Sequence, residues 1–307
     1  MTNINEPKNN SETFNRRDIH QQVTDTIIAQ LEAGTVPWHQ PWVGGGSQMP
    51  FLLPRNSSTG NKYRGVNILL LWAASHNQQF TSNEWASLKQ WNAKKESIRA
   101  KEKGTMVVYY DTFEKEVDNE IKKIPFLKCS YVFNKCQLNS YVPEEKIEDP
   151  ERTLLVERID EVDCFIKNTK AEIEYHTGDA FYSNTKDKIF IPHQEMFIDT
   201  PTASATESFY AVQMHELMHW SGNPKRLNRE KGKKYGDIVY AQEELIAELG
   251  AAFICCEMGI TRPEKEDHAA YIASWLKVLK DNKNNIITAA SAASKAVDYL
   301  QNLQPKV

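Results

Sequence analysis

The chain has 307 residues, 40% of them hydrophobic and 10% aromatic, with a formal net charge of −4: the composition of a globular protein with two domains. No apolar run approaches the roughly 18 residues that span a membrane, and the polar start from Met1 to Asn10 has no signal-peptide core, so a cytoplasmic protein with no membrane partner is expected. Five cysteines, Cys129, Cys136, Cys164, Cys255 and Cys256, form no C-x-x-C pair, which favours reduced, mostly buried thiols over disulfides.

The charge is uneven. Residues 1–142 hold 17 Lys and Arg against 13 Asp and Glu, a balance of +4, whereas residues 143–307 hold 20 against 28, a balance of −8. The front half is the basic half.

Residues 1–13 read as a disordered start, and residues 14–140 as a small α+β domain. Within it, Ile19, Val23, Ile27, Ile28 and Leu31 recur at helical spacing over Asp18 to Ala33, and Gly34 ends the pattern. Pro37-Trp38 and Pro41-Trp42, followed by Gly44-Gly45-Gly46, fit neither helix interior nor central strand, so both tryptophans are expected on a rigid loop. Thr59 to Asn67 reads as a turn into a helix through Leu69, Leu70, Leu71 and Trp72, and a further helix is expected to carry Trp85, Lys89, Gln90 and Trp91. Strands are expected at Thr105 to Tyr110 and Lys128 to Phe133. Aromatic faces interleaved with Lys, Arg and amides suit a single strand of nucleic acid, on which bases stack and cations follow phosphates.

Residues 141–152, rich in proline and charge, have the composition of a linker. Behind it, residues 153–307 open with a short helix over Thr153 to Lys167. Asp187 to Pro192 reads as part of an edge hairpin, so that Ile189 to Ile191 are expected to pair with a peptide substrate.

The next helix carries His215-Glu216-Leu217-Met218-His219, an H-E-x-x-H pattern. Ser204-Ala205-Thr206-Glu207 has the form of a capping box before it, and Gly222 with Pro224 stops it. Histidines four apart on a helix share a face and can share one metal ion, with a carboxylate completing the set. Zinc is the expected cofactor, although other divalent ions accept the same donors, and Glu216 is the expected general base. The third ligand is sought on the helix from Tyr240 to Phe253, where Glu244 and Glu248 stand one turn apart. Glu244 is taken as the ligand and Glu248 as the carboxylate that orients a histidine, with Glu243 as the competing ligand. Tyr235 and Tyr240 are candidates for an oxyanion donor. Two closing helices are expected, Ala270 to Lys280 and Ile286 to Leu300.

These motifs together resemble the ArdC-type antirestriction proteins of conjugative plasmids, which are related to TraC primase-type proteins. The resemblance is carried by Pro37-Trp38 with Pro41-Trp42, Thr59-Gly60 with Tyr63 to Asn67, Lys101 to Thr105, and Val132-Phe133-Asn134. It continues through His215 to Trp220, Arg226 to Arg229, Glu243 to Phe253, and Tyr271 to Leu276. It spans about Phe14 to Leu300, with one departure at Ala93 to Ser97, where the family has a glycine-containing turn.

The resemblance implies an N-terminal domain that binds single-stranded DNA, followed by a mainly helical, zincin-like metallopeptidase domain with a short edge sheet. It also implies protection of incoming plasmid DNA from host restriction. Carried over residue by residue, Trp38, Trp42, Tyr63, Arg64 and Asn67 become strand contacts, and Lys101 and Lys103 phosphate contacts. Three function classes follow: DNA protection joined to proteolysis of proteins on the strand, protection by occupancy alone, and a metallopeptidase acting on a protein or peptide substrate.

Overall fold

The computed structural model describes residues 18–38, 52–117, 120–143, 153–200, 203–229, 238–262 and 268–305. The start at 1–13, Trp42 with its glycine run, nearly all of the linker and Tyr235 lie outside the described residues.

The front domain is α+β. Helix α1 (Ile19–Glu32) begins where Asp18 accepts a hydrogen bond from the Gln21 amide at 3.1 Å, and Gly34 leaves it at a φ of +75°. Strand β1 (Arg55–Asn56) leads to helix α2 (Val66–Gln78), strand β2 (Glu84–Ala86) and helix α3 (Leu88–Ala93). A long hairpin follows, β3 (Thr105–Val117) and β4 (Glu120–Asn134), in register from Thr105 opposite Val132 to Val117 opposite Glu120. The sheet order is β1-β2-β4-β3.

Trp85 corrects the expected helix, since it lies on β2 and is wholly buried. The reason is local. Ser87 and Gln90 form a capping box, which starts α3 one residue later and leaves Trp85 in the preceding strand. Lys95 ends α3 at a φ of +63°, so a lysine here takes the left-handed turn for which glycine is the natural residue.

The rear domain begins with α4 (Thr153–Thr169) and a three-stranded sheet of β5 (Glu172–His176), β6 (Phe181–Ser183) and β7 (Lys188–Pro192). Its order, β5-β7-β6, overturns the expected edge strand. β7 pairs on both sides, in parallel with β5 and antiparallel with β6. Ile189 and Ile191 are wholly buried and Phe190 nearly so, the apolar run of a central strand, and its backbone has no free edge for a peptide.

Helices α5 (Ala205–Ser221), α6 (Ile238–Met258), α7 (His268–Asp281) and α8 (Asn285–Asn302) complete the chain. α6 is buried nearly all round, its carboxylates Glu243 and Glu248 included, as a helix surrounded by others must be. It meets α5 at Gly250, where a Cβ would lie 2.5 Å from the Met218 sulfur, so only glycine permits the approach.

The front helices join this core. Trp72 of α2 packs on Phe253 of α6, ring centroids 5.9 Å apart, and Trp38 meets Trp275 of α7 edge to face at 5.2 Å. Trp38 therefore corrects its expected role as a strand contact. It is 1% exposed, because its indole fills the apolar junction between the front of the chain and α7. Polar contacts border this seam. Arg64 pairs with Asp298, Lys62 with Glu257 at 3.0 Å and Lys280 with Glu32 at 2.7 Å, while the Gly65 amide donates to Ser294 Oγ at 2.9 Å. Among the described residues no helix is long and apolar enough to cross a membrane. All five cysteines are free thiols, with Cys136, Cys255 and Cys256 buried.

Candidate metal centre

The Ser204–Glu207 capping box starts α5 at Ala205 and sets the phase that places His215 and His219 on the side facing α6. Their rings meet edge to face at 4.9 Å. From α6, Glu244 reaches between them. Its Oε2 lies 3.6 Å from His215 Nε2 and its Oε1 lies 3.4 Å from His219 Nε2.

Three donors bound to one tetrahedral ion at 2.0–2.1 Å stand about 3.3 Å apart along the tetrahedron's edges. The donor atoms of His215, His219 and Glu244 lie within 4.8 Å of one another, and both histidine-to-carboxylate distances are close to that edge, so the residues fit a divalent cation.

Carboxylates also stand beside the other ring nitrogens. His215 Nδ1 lies 3.3 Å from Glu248 Oε2, and His219 Nδ1 lies 3.3 Å from Glu243 Oε1. A carboxylate on the far nitrogen fixes the ring and presents the near nitrogen's lone pair to the ion. The structure thus brings Glu244 between the two Nε2 atoms, and Glu243 takes the same place on His219 that Glu248 takes on His215.

Each of these carboxylates is held by an arginine. Arg229 grips Glu243 at 2.8 and 3.0 Å, and Arg262 reaches Glu248 at 2.6 Å. Both arginines escaped the sequence reading as site residues. Neither is at a helical spacing from the carboxylate it serves, and the only signal was Arg229's place in a motif with no assigned chemistry.

Electrostatics follow this geometry. Burial by itself disfavours a charged His219, but hydrogen bonds to Glu243 and Glu244 outweigh it and push the imidazole up to about 10. Against burial, which would raise it, the two histidines hold the Glu244 carboxyl well below the usual range. Against the same effect, His219 and Arg229 hold Glu243 below its ordinary value. Glu216 is buried at 6% exposure beside His215 in sequence, and its charge helps to raise His219. Tyr240 lies in the first turn of α6 and is half-buried.

The residues assigned to DNA do not converge in this way. Asn67 spends both ends of its amide on Val108, donating to its carbonyl and accepting from its amide, each at 2.8 Å, and so pins α2 to β3. Arg64 turns to Asp298, which raises its pKa through their hydrogen bond. Tyr63 is half-buried against Leu71, Trp85, Val107 and Val132, and burial raises its hydroxyl. Lys101 and Lys103 are exposed, Lys101 at a φ of +69°. Lys94 donates to Ser57 Oγ at 2.9 Å and lies over the Trp91 ring. Among the described residues of this domain the exposed aromatic side chains are instead Tyr109, Tyr110 and Tyr131 on the hairpin, at 49%, 62% and 45%.

Residues 17–133 match the family described as the N-terminal domain of anti-restriction factor ArdC, and residues 160–292 match the zincin-like metallopeptidase family. Protein y4eC of Sinorhizobium fredii is 34% identical over 94% of this chain and 92% of its own length. Two DNA primase TraC proteins of Escherichia coli are 31% and 30% identical over 95% of this chain, which spans only 28% and 20% of their lengths. The crystal structure of antirestriction ArdC from plasmid R388 in its metal-free form aligns with a TM-score of 0.75 at 35% identity, covering 93% of this chain and 97% of that one. Its Mn(II)-bound form aligns at 0.72 and 36%, covering 93% and 98%.

Proposed function

Because the chain belongs to the ArdC antirestriction family and carries both its N-terminal and its zincin-like domain, we propose that it binds single-stranded DNA and protects incoming conjugative plasmid DNA from host restriction in the cytoplasm. The observation that carries this reading is the alignment along 97% of antirestriction ArdC at 35% identity, over a chain that matches the ArdC N-terminal family ahead of the zincin-like family. Two relatives named DNA primases support a front domain that works on DNA.

The strand contacts in this reading lie on the hairpin. Tyr109, Tyr110 and Tyr131 offer exposed rings for stacking, and Lys101, Lys103 and Lys128 supply cations. Trp38, Arg64 and Asn67 support the strand only indirectly, because they join the front domain to the rear one or to itself.

The metal is zinc in this reading, with His215, His219 and Glu244 as its ligands. The Mn(II)-bound relative supports the divalent class. When bound, such an ion polarises a carbonyl and lowers the pKa of water toward neutrality. Glu216, buried next to His215 in sequence, would serve as general base in the hydrolysis of a protein or peptide carried by the same strand.

The test is fluorescence anisotropy with single- and double-stranded oligonucleotides of equal length, for the parent chain, Glu216→Ala and the Tyr110→Ala/Tyr131→Ala pair. Strand-selective binding by the parent and by Glu216→Ala is expected, falling steeply with salt. The tyrosine pair is expected to lose about 1–3 kcal/mol for each base unstacked. A parent chain that binds neither oligonucleotide rules the reading out. Plasmid protection that survives Glu216→Ala reduces it to protection by occupancy, with a metal site that is structural.

A further inference from the structure

We propose that Arg229 is a positioning residue that sets the divalent-metal affinity of the centre, acting on His219 through Glu243 and on the spacing of α5 and α6 at once. The proposal rests on the metal-binding reading above. The Arg229 side chain is 9% exposed and its hydrogen bonds reach both helices. Toward α6 it donates to both carboxylate oxygens of Glu243, at 2.8 and 3.0 Å. Toward the last turn of α5 it donates to Ser221 Oγ at 2.9 Å and to the Met218 carbonyl at 2.5 Å, and its own amide donates to the Gly222 carbonyl at 3.0 Å.

α5 supplies both histidines and α6 supplies Glu244, so one planar fork joins the two helices whose spacing determines whether the three donors meet. Arg262 differs. It binds the carboxylate and carbonyl of Glu248, both on α6, and so orients His215 without tying the helices together.

Gly222 gives independent support. Its φ of −78° is open to any residue, so nothing in its backbone calls for glycine. What calls for it is room, because a Cβ there would lie 2.8 Å from Arg229 Nη2 and 3.0 Å from Cζ. Gly222→Ala therefore displaces the guanidinium while leaving every charge and every proposed ligand in the chain.

The experiment is calorimetric titration of MnCl2 into the full chain and its Arg229→Ala, Arg229→Lys and Gly222→Ala variants, together with thermal melts of each metal-free protein. Arg229→Ala and Gly222→Ala are expected to bind Mn(II) about 10–100-fold more weakly, and Arg229→Lys to recover part of the loss, since an ammonium cannot grip both oxygens. A purely structural role predicts lower melting temperatures with the affinity of the folded protein unchanged. Affinities within about twofold of the parent for Gly222→Ala and Arg229→Lys overturn the proposal, whether or not Arg229→Ala folds. If the parent itself takes up no Mn(II), the metal-binding reading fails. That outcome ends this inference as well, whereas a parent that binds Mn(II) while Gly222→Ala and Arg229→Lys match it overturns this inference alone.

Discussion

The metal centre and the seam between the two domains both join distant parts of the chain, and they use opposite means. At the centre, charge is passed inward through buried groups, from Arg229 and Arg262 to Glu243 and Glu248 and on to the two histidines. At the seam the buried contacts are apolar, Trp38 on Trp275 and Trp72 on Phe253, and ion pairs such as Arg64–Asp298 and Lys280–Glu32 lie outside where solvent screens them. Buried charges are costly unless every partner is present, so the centre is specific in geometry and sensitive to single losses. The seam draws its strength from apolar area and tolerates the loss of a surface charge.

Substitutions at each place separate these two modes. The largest effect is expected from Trp38→Ala, which opens a cavity at the junction and costs about 3–5 kcal/mol of stability by denaturant titration. A loss below about 1 kcal/mol would mean that the junction is not a shared core. Next comes Glu248→Ala, which frees the His215 ring. Calorimetry is expected to show metal affinity down about 10–100-fold. Asn67→Ala leaves both backbone groups of Val108 without their partner and is expected to cost about 1–3 kcal/mol, with hydrogen exchange rising at the start of the hairpin. Arg64→Ala is expected to cost under about 1 kcal/mol, less still in high salt.

Acidity offers a further contrast. His219 has a folded pKa raised from 6.5 to about 10, so the stability its imidazolium adds is fully present below 6.5 and is lost as pH rises through about 10. A divalent ion must displace that proton, so its affinity runs the other way and is expected to gain with rising pH, by up to about tenfold per unit for one proton. An affinity independent of pH between 6 and 8 would show that His219 is neutral in the metal-free protein. Asp187 stands just before β7 and pairs with Arg226. The Arg226 guanidinium beside it holds its carboxyl down at about 2, and its contribution, present above 3.8, is expected to be lost as pH falls through about 2.

Much of the rear domain was legible because it depends on local rules. The Ser204 box, the four-residue histidine spacing, the one-turn spacing of Glu244 and Glu248 and the stop at Gly259 are all properties of single helices. The front domain was less legible because an exposed stacking tryptophan and a core tryptophan have the same chemistry. The prolines place Trp38 on a rigid loop and the family resemblance makes it a strand contact, but its partner Trp275 lies more than two hundred residues away in the chain. In β7 the apolar run Ile189-Phe190-Ile191 carried the sign of a central strand, yet Pro192 drew attention to an edge.

By itself the sequence determined the two-domain α+β plan, the helices of the centre and the residue types able to hold a divalent ion, since each of these follows from periodicity, capping and side-chain chemistry within a short stretch. Tertiary structure alone decided which of Glu243 and Glu244 faces the two Nε2 atoms, that two arginines stand behind the carboxylates, and that Trp38, Arg64 and Asn67 serve as joints. Those outcomes depend on how α5, α6 and α8 approach one another. That approach is set by close contacts such as Gly250 on Met218, and no spacing along a single element records it.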